Sequence, residues 1–481
     1  MHRQLHLVSL LLVLSLPVGA LGALIHVPGD WSTIAEATAT AAPGDTVLVA
    51  PGTYYEDSIV LPDSVVLTSE GSDPSTVTIN ARFQGRVLEC DGTGSSAAVI
   101  GVTFTGGYSS SSGGAVYISN ATPRFASCVF RSNVAQSGGA VFCHNGADSE
   151  FTGCVFVLNE AEGHGGGAVY VQHYADPTFM DCLFDGNSAA NYGGAFYSYW
   201  YSNPTLSNCT FTENTAGNTG GALAFHNISS PTVSGCTIAG NTAGQNGGGL
   251  SCIDDSDPEV VETEFLSNEA TLYRGGAIYC SVDCAPSFAA CEFSANFAGT
   301  DGGAAYLREY SSPSFSSCLF ASNTAIDDGG AVACYEHSAP DFESCTLADN
   351  SAADLGGGIH LNLYCYPVLT RCIVAGSTLG AALVCESSST ADLICCDLHA
   401  NAGGDWVGCI ASQAELNGNI SADPIFCGEI EPGNPYSIAD VSPCAAENSS
   451  GCGLIGAYGV ECSAPSVVQS LSWGAIKSLY R

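Results

Sequence analysis

The sequence predicts an all-β fold, a right-handed parallel β-helix solenoid of about 27-residue coils, on three observations. A Cys two residues before a bulky apolar residue recurs at Cys128, Cys154, Cys182, Cys209, Cys236, Cys291, Cys318, Cys345 and Cys372, with Thr263 in the remaining slot. An Asn stands three residues beyond each apolar position, at 133, 159, 187, 214, 241, 268, 296, 323 and 350, and Ser377 takes the last place. Gly-Gly pairs keep the same phase, beginning at Gly113, Gly138, Gly166, Gly193, Gly220, Gly247, Gly275, Gly302, Gly329 and Gly356. A period near 27 is too short for a domain. It fits one turn of a solenoid, in which a single coil cannot bury its apolar face but stacked coils can. Between the turn signals the residues alternate, as in Val169/Val171 around Tyr170 and Leu223/Phe225 around Ala224. Period 2 means a strand with one buried face. Coils wound in one sense align these strands in parallel, and parallel crossovers are right-handed. At ~4.8 Å per strand, ten coils span about 48 Å.

The elements follow in chain order. Residues 1–22 read as a secretory signal: a short basic start at Arg3, an apolar run from Leu5 to Leu16, then Ala20 and Gly22 before Ala23. That run is too short to cross a bilayer, and no later segment is long and apolar enough to do so as a helix. Residues 23–462 read as one β-helix. Its first part, 23–112, holds an N-terminal cap and the first coils, with a short amphipathic helix between Trp31 and Ala42 closing the open end. Regular repeats occupy 113–400. The Asn column reads as an amide ladder and the Gly pairs as tight corners with positive φ. In the strand after each Cys, the column holding Leu319, Glu264, Glu292, Thr210 and Thr237 is expected to face outward. Residues 401–462 form a disulfide-rich closing cap. Cys427, Cys444, Cys452 and Cys462 crowd together there and are expected to make two disulfides, with three connectivities open. Residues 463–481 are a linker and a tail ending in Trp473 to Arg481, read either as a sorting tag or as a frayed end.

The pairing of Phe-x-x-Asn with Gly-Gly-Ala-apolar, as in Phe293 to Asn296 followed by Gly302 to Ala305, resembles the repeat of the polymorphic outer membrane protein family over residues 113–385. The resemblance implies a surface-exposed β-helix with a role in adhesion. That family also ends in a membrane β-barrel, but the residues after the last repeat show no run of ten-residue amphipathic strands. Pro43-Gly44-Asp45-Thr46-Val47 and Ala422-Asp423-Pro424-Ile425-Phe426 are similar to the opening and closing coils of the pectin-lyase-like β-helix superfamily.

Composition narrows the function. Ten Lys plus Arg against 47 acids give a net charge of −37, which excludes a nucleic-acid partner for want of a basic face. The 24 Cys suit an exported chain, placed outside the cell or on its surface or outer membrane, since disulfides persist outside the cytosol. The inward Cys column reads as buried small hydrophobes, with bridges between coils or across to the second column at 143, 252, 280, 334 and 385 as the alternative.

Two clusters are candidate sites. Tyr192, Tyr197, Tyr199, Trp200 and Tyr201, beside His173, Tyr174, Phe225 and His226, place aromatic rings where they can stack on sugars or anchor a protein partner. Asp254, Asp255 and Asp257 form the most acidic loop and are the candidate calcium ligands; the competing reading is a solvated turn. No other cofactor is indicated. Gly163-His164-Gly165 matches a polygalacturonase tripeptide, but no carboxylate set accompanies it. The function expected is non-catalytic adhesion or binding of an extracellular glycan or surface protein. A polysaccharide lyase or hydrolase, and a structural surface component, are the alternatives. Near-uniform coils without long loops favour binding over catalysis.

Overall fold

The computed structural model describes residues 22–428 and 434–463. The signal segment, apart from Gly22, and the tail beyond Ser463 lie outside the described residues. The described chain winds into a parallel β-solenoid of about 15 coils, with strands stacked into four parallel sheets of 15, 14, 13 and 10 strands. One coil shows the plan. Phe196–Tyr199 belongs to the 13-stranded sheet, Thr205–Ser207 to the 15-stranded, Thr210–Thr212 to the 14-stranded and Thr215–Ala216 to the 10-stranded.

The repeat residues build the corners. The Asn214 Nδ2 donates to the carbonyl of Phe184 at 3.0 Å and to Asn241 Oδ1 at 2.9 Å, while its backbone N–H donates to the same Oδ1 at 2.9 Å. The pattern repeats from Asn133 to Asn350, so each amide inside the solenoid is satisfied by the coils on either side. Gly221 shows why the second glycine of each pair is required: a Cβ there would lie 2.1 Å from the carbonyl oxygen of Gly248 in the next coil. Gly220 before it sits at φ +68°, a left-handed conformation that glycine adopts without cost.

Inside, the apolar residues stack in files. Phe130, Phe156, Phe184 and Phe211 lie face to face with centroids 4.6–4.7 Å apart, and Phe151 stacks on Phe179 at 4.5 Å. The Cys column from Cys128 to Cys396 is buried and free, each thiol donating to carbonyl oxygens such as that of Ala126, 3.4 Å from Cys128 Sγ. In the second column Cys143, Cys252, Cys280 and Cys334 are likewise free, and burial pushes the thiols of Cys143 and Cys334 up. The N-terminal cap is helix α1 (Ile34–Thr40), entered through Thr33, whose hydroxyl accepts from the Glu36 N–H. Glu56 closes the helix start by accepting from the N–H groups of Ile34 and Ala35, both at 2.9 Å.

The C-terminal cap departs from expectation in two ways. Cys427 bonds Cys462, but Cys452 bonds Cys395 in the last coils, Cys385 bonds Cys409, and Cys444 is a free, buried thiol 3.1 Å from Asp397 Oδ2. The physical reason is that the cap folds back onto the solenoid instead of closing on itself. Its residues Ile438, Cys444 and Ile455 pack on Ile373, and the Ala457 N–H donates to Thr346 Oγ1 at 2.9 Å. The same fold-back corrects the outward column of Leu319. Glu264 is exposed as expected, but in register with it Leu319, Thr346 and Ile373 are buried.

Candidate functional site

The 13-stranded sheet carries the site on its outer surface. Counted from the first Gly of each pair, positions +4 and +6 point outward, giving Tyr170 and Gln172, Tyr197 and Tyr199, and Ala224 and His226 in successive coils. Residues before the Gly pairs, such as Ser137 and Tyr192, rise on one side. The turns after the strands, at Asn227 and Asp254, rise on the other. Together they enclose a groove of about 610 Å³.

Its floor is aromatic. Tyr170 stacks on Tyr197 with centroids 5.2 Å apart, and Tyr192 and Tyr199 lean against Tyr197 at 5.6 and 5.7 Å. The Tyr170 hydroxyl donates to Gln172 Oε1. His226 closes the floor, its Nε2 3.0 Å from Ser251 Oγ. Burial raises the pKa of Tyr170 and Tyr197, and burial together with Asp255 raises that of Asp254.

The five aromatic residues singled out in the sequence divide. Tyr192, Tyr197 and Tyr199 line the groove, with Tyr197 buried in the floor. Trp200 and Tyr201 occupy the following turn, both with positive φ, and stand exposed at the rim, where Tyr201 stacks on Tyr174 at 5.3 Å and Trp200 meets His173 edge-on at 4.4 Å. Phe225 points into the core. Tyr170, Gln172 and Asn227 join the lining although the sequence reading did not single them out. The outward +4 and +6 columns were the signal for the first two.

The acidic loop does not act as one cluster. Asp254 lines the groove, whereas Asp257 accepts the Ala285 N–H at 2.5 Å within a ladder of turns and so has a structural partner. Among the described residues no three His, Cys, Asp or Glu side chains gather as a metal ion would need.

A family model described as the right handed beta helix region matches residues 87–265, 159–303 and 248–421. The chain belongs to that family. Among solved structures, a mannuronic acid specific polysaccharide family 6 lyase from human gut microbiota is 11% identical, with a TM-score of 0.32 and coverage of 63% of this chain and 82% of that one. Comparison with curated protein sequences gives no match.

Farther along the β-helix, the same sheet face keeps a tyrosine stack, Tyr279, Tyr306 and Tyr335, and gains charged groups around it. Arg274 stacks 4.7 Å over Tyr306 and reaches Asp301 Oδ2 at 3.1 Å, and Arg308 bonds Glu309 at 2.5 Å and Glu336 at 3.1 Å. His360, fully buried, has a carboxylate oxygen 3.5 Å from each ring nitrogen, those of Asp328 and Glu386. The arginines are held by these carboxylates, whereas both ring nitrogens of His360 and the Nε of Arg308 are buried without a hydrogen-bond partner.

The buried floor has a measurable signature. Desolvation pushes the pKa of His226 down from 6.5 to about 3, so the folded ring stays neutral where the unfolded one takes a proton. The unfolded state then binds more protons between those values, and stability falls as the pH drops from 6.5 towards 3. Relative to His226→Gln, the wild type is expected to lose ~3 kcal/mol between pH 7 and pH 4. Urea midpoints at the two pH values check this, and identical losses in both proteins would contradict it.

Proposed function

We propose that the protein is an exported β-helix that binds an extracellular glycan along this groove without cleaving it. The observation that carries the reading is the open trough floored by Tyr170, Tyr197 and Tyr199 and edged by the hydroxyl of Ser137, the amide of Asn227 and the carboxylate of Asp254. Sugars present apolar ring faces ringed by hydroxyls. Aromatic side chains with convergent polar groups match both. The disulfide-bonded cap fits an oxidising compartment, and no helix among the described residues is long and apolar enough to cross a membrane.

The test is a glycan array followed by calorimetry. Trp200→Ala and Tyr199→Ala, which remove a rim ring and a lining ring, are expected to weaken binding at least tenfold with melting temperatures unchanged within a few degrees. Absence of binding to any glycan, or equal affinity of both variants and wild type, would sink the reading.

A second reading, cleavage as a lyase or hydrolase, is favoured by one observation. Asp254 has a raised pKa and lines the groove with His226, and shifted ionisable groups gather at catalytic sites. New reducing ends or unsaturated products, with or without calcium, would establish it. They would replace the binding reading.

A further inference from the structure

We infer that the groove selects a neutral glycan, an uncharged chain of sugars lying along the solenoid axis, over one built of uronic acids. The inference deepens the glycan reading and rests on it.

Three observations carry it. First, the lining contains neither Lys nor Arg. It offers the hydroxyls of Ser112, Ser137 and the tyrosines, the amides of Gln172 and Asn227, the imidazoles of His164 and of the buried His226, and the carboxylate of Asp254. A carboxylate accepts from vicinal sugar hydroxyls but repels a uronate.

Second, the arginines elsewhere on this sheet face are already engaged. Arg86 bonds Glu89 at 2.5 Å and the carbonyls of Gly113 and Ser112, both at 2.9 Å, and Arg274 and Arg308 are paired with Asp301, Glu309 and Glu336. None is available for bidentate recognition of a sugar carboxylate. The whole chain adds to this, since a net charge of −37 keeps polyanions away from the surface.

Third, the lining residues run from Ser112 to Asp254 across six successive coils, and at ~4.8 Å per coil that is about 24 Å. A trough of that length parallel to the axis fits several linked sugar rings in line. A single compact ligand would leave most of it empty.

The experiment uses the full chain and matched hexasaccharides: β-linked glucose and mannose on one side, galacturonate and mannuronate on the other. Affinities are measured by calorimetry at low and high salt. A neutral hexamer is expected to bind at least tenfold tighter than either uronate hexamer, with affinity that hardly changes with salt. Asp254→Asn, nearly identical in shape but uncharged, is expected to narrow that preference at least threefold while the melting temperature holds. Tighter binding of a uronate, or binding that requires calcium, overturns the inference and leaves a glycan site standing. Failure of all four hexamers to bind overturns the glycan reading itself.

Discussion

Replacing Asn241 by Ala is expected to destabilise the protein by about 4 kcal/mol, an unusually large effect for a polar residue. Asn241 Oδ1 accepts from both the N–H and the Nδ2 of Asn214, and its own Nδ2 donates to the Phe211 carbonyl. Alanine leaves the buried Asn214 N–H without its acceptor, and takes one partner each from the Phe211 carbonyl and from the Asn214 Nδ2, which keeps only its bond to the Phe184 carbonyl. An orphaned buried group costs about 1–3 kcal/mol and each further lost bond about 1 kcal/mol. Asn208→Ala in the preceding coil is the control, since that side chain is exposed and its bond to Asp181 is a surface contact. Urea unfolding with amide exchange around residues 214 and 241 measures both. A shift for Asn241→Ala no larger than that for Asn208→Ala would mean that the ladder contributes little.

The second large effect is expected from Ile373→Glu. Glu264 and Glu292 occupy the same column five and four positions of stacking away from the end of that sheet, and there a carboxylate is tolerated. At Ile373 the column is covered by Ile438, Cys444 and Ile455. A carboxylate there must be buried without a partner or must lift the cap. The expected cost is about 4 kcal/mol, and early proteolysis between residues 434 and 463 is expected with it. The reverse change, Glu264→Ile, should move stability by no more than about 0.5 kcal/mol. Equal effects of the two substitutions would show that the cap does not press on this face.

These two cases also show what the sequence made legible. The ladder residues recur in every coil, so their spacing alone gave the period, the parallel pairing and the corners. Three tyrosines of the groove could be named because aromatic residues crowd between 192 and 201, whereas Tyr170, outside that run in the preceding coil, was missed. The fold-back of the cap was not visible, because residues 423–462 have no period and their partners lie up to 111 residues away, as Ala457 and Thr346 do. Leu319 and Ile373 did not betray it, because Val129, Val155 and Leu183 are apolar in the same column and lie half-buried or exposed. Without a period in the cap, the pairing of Cys452 with Cys395 could not be read from the crowding of cysteines there. Nor could the groove's walls, since Ser137 and Asp254 approach the same trough only through the curvature of the turns on either side of the sheet.

The close approach at Gly221 and Gly248 has a consequence for how such a molecule changes length. Within the regular repeats each coil meets its neighbours through the same bare backbone and the same amide, and in most coils through a stacked phenylalanine, so upper and lower surfaces closely match. A tandem copy of residues 193–219 would therefore join the stack through contacts already in use, leaving both ends as they are. The trough would lengthen by ~4.8 Å per copy while its cross-section stayed fixed. The reach of the protein along a polymer is thus counted in whole coils, and duplication or loss within the gene resets it without redesigning a single side chain.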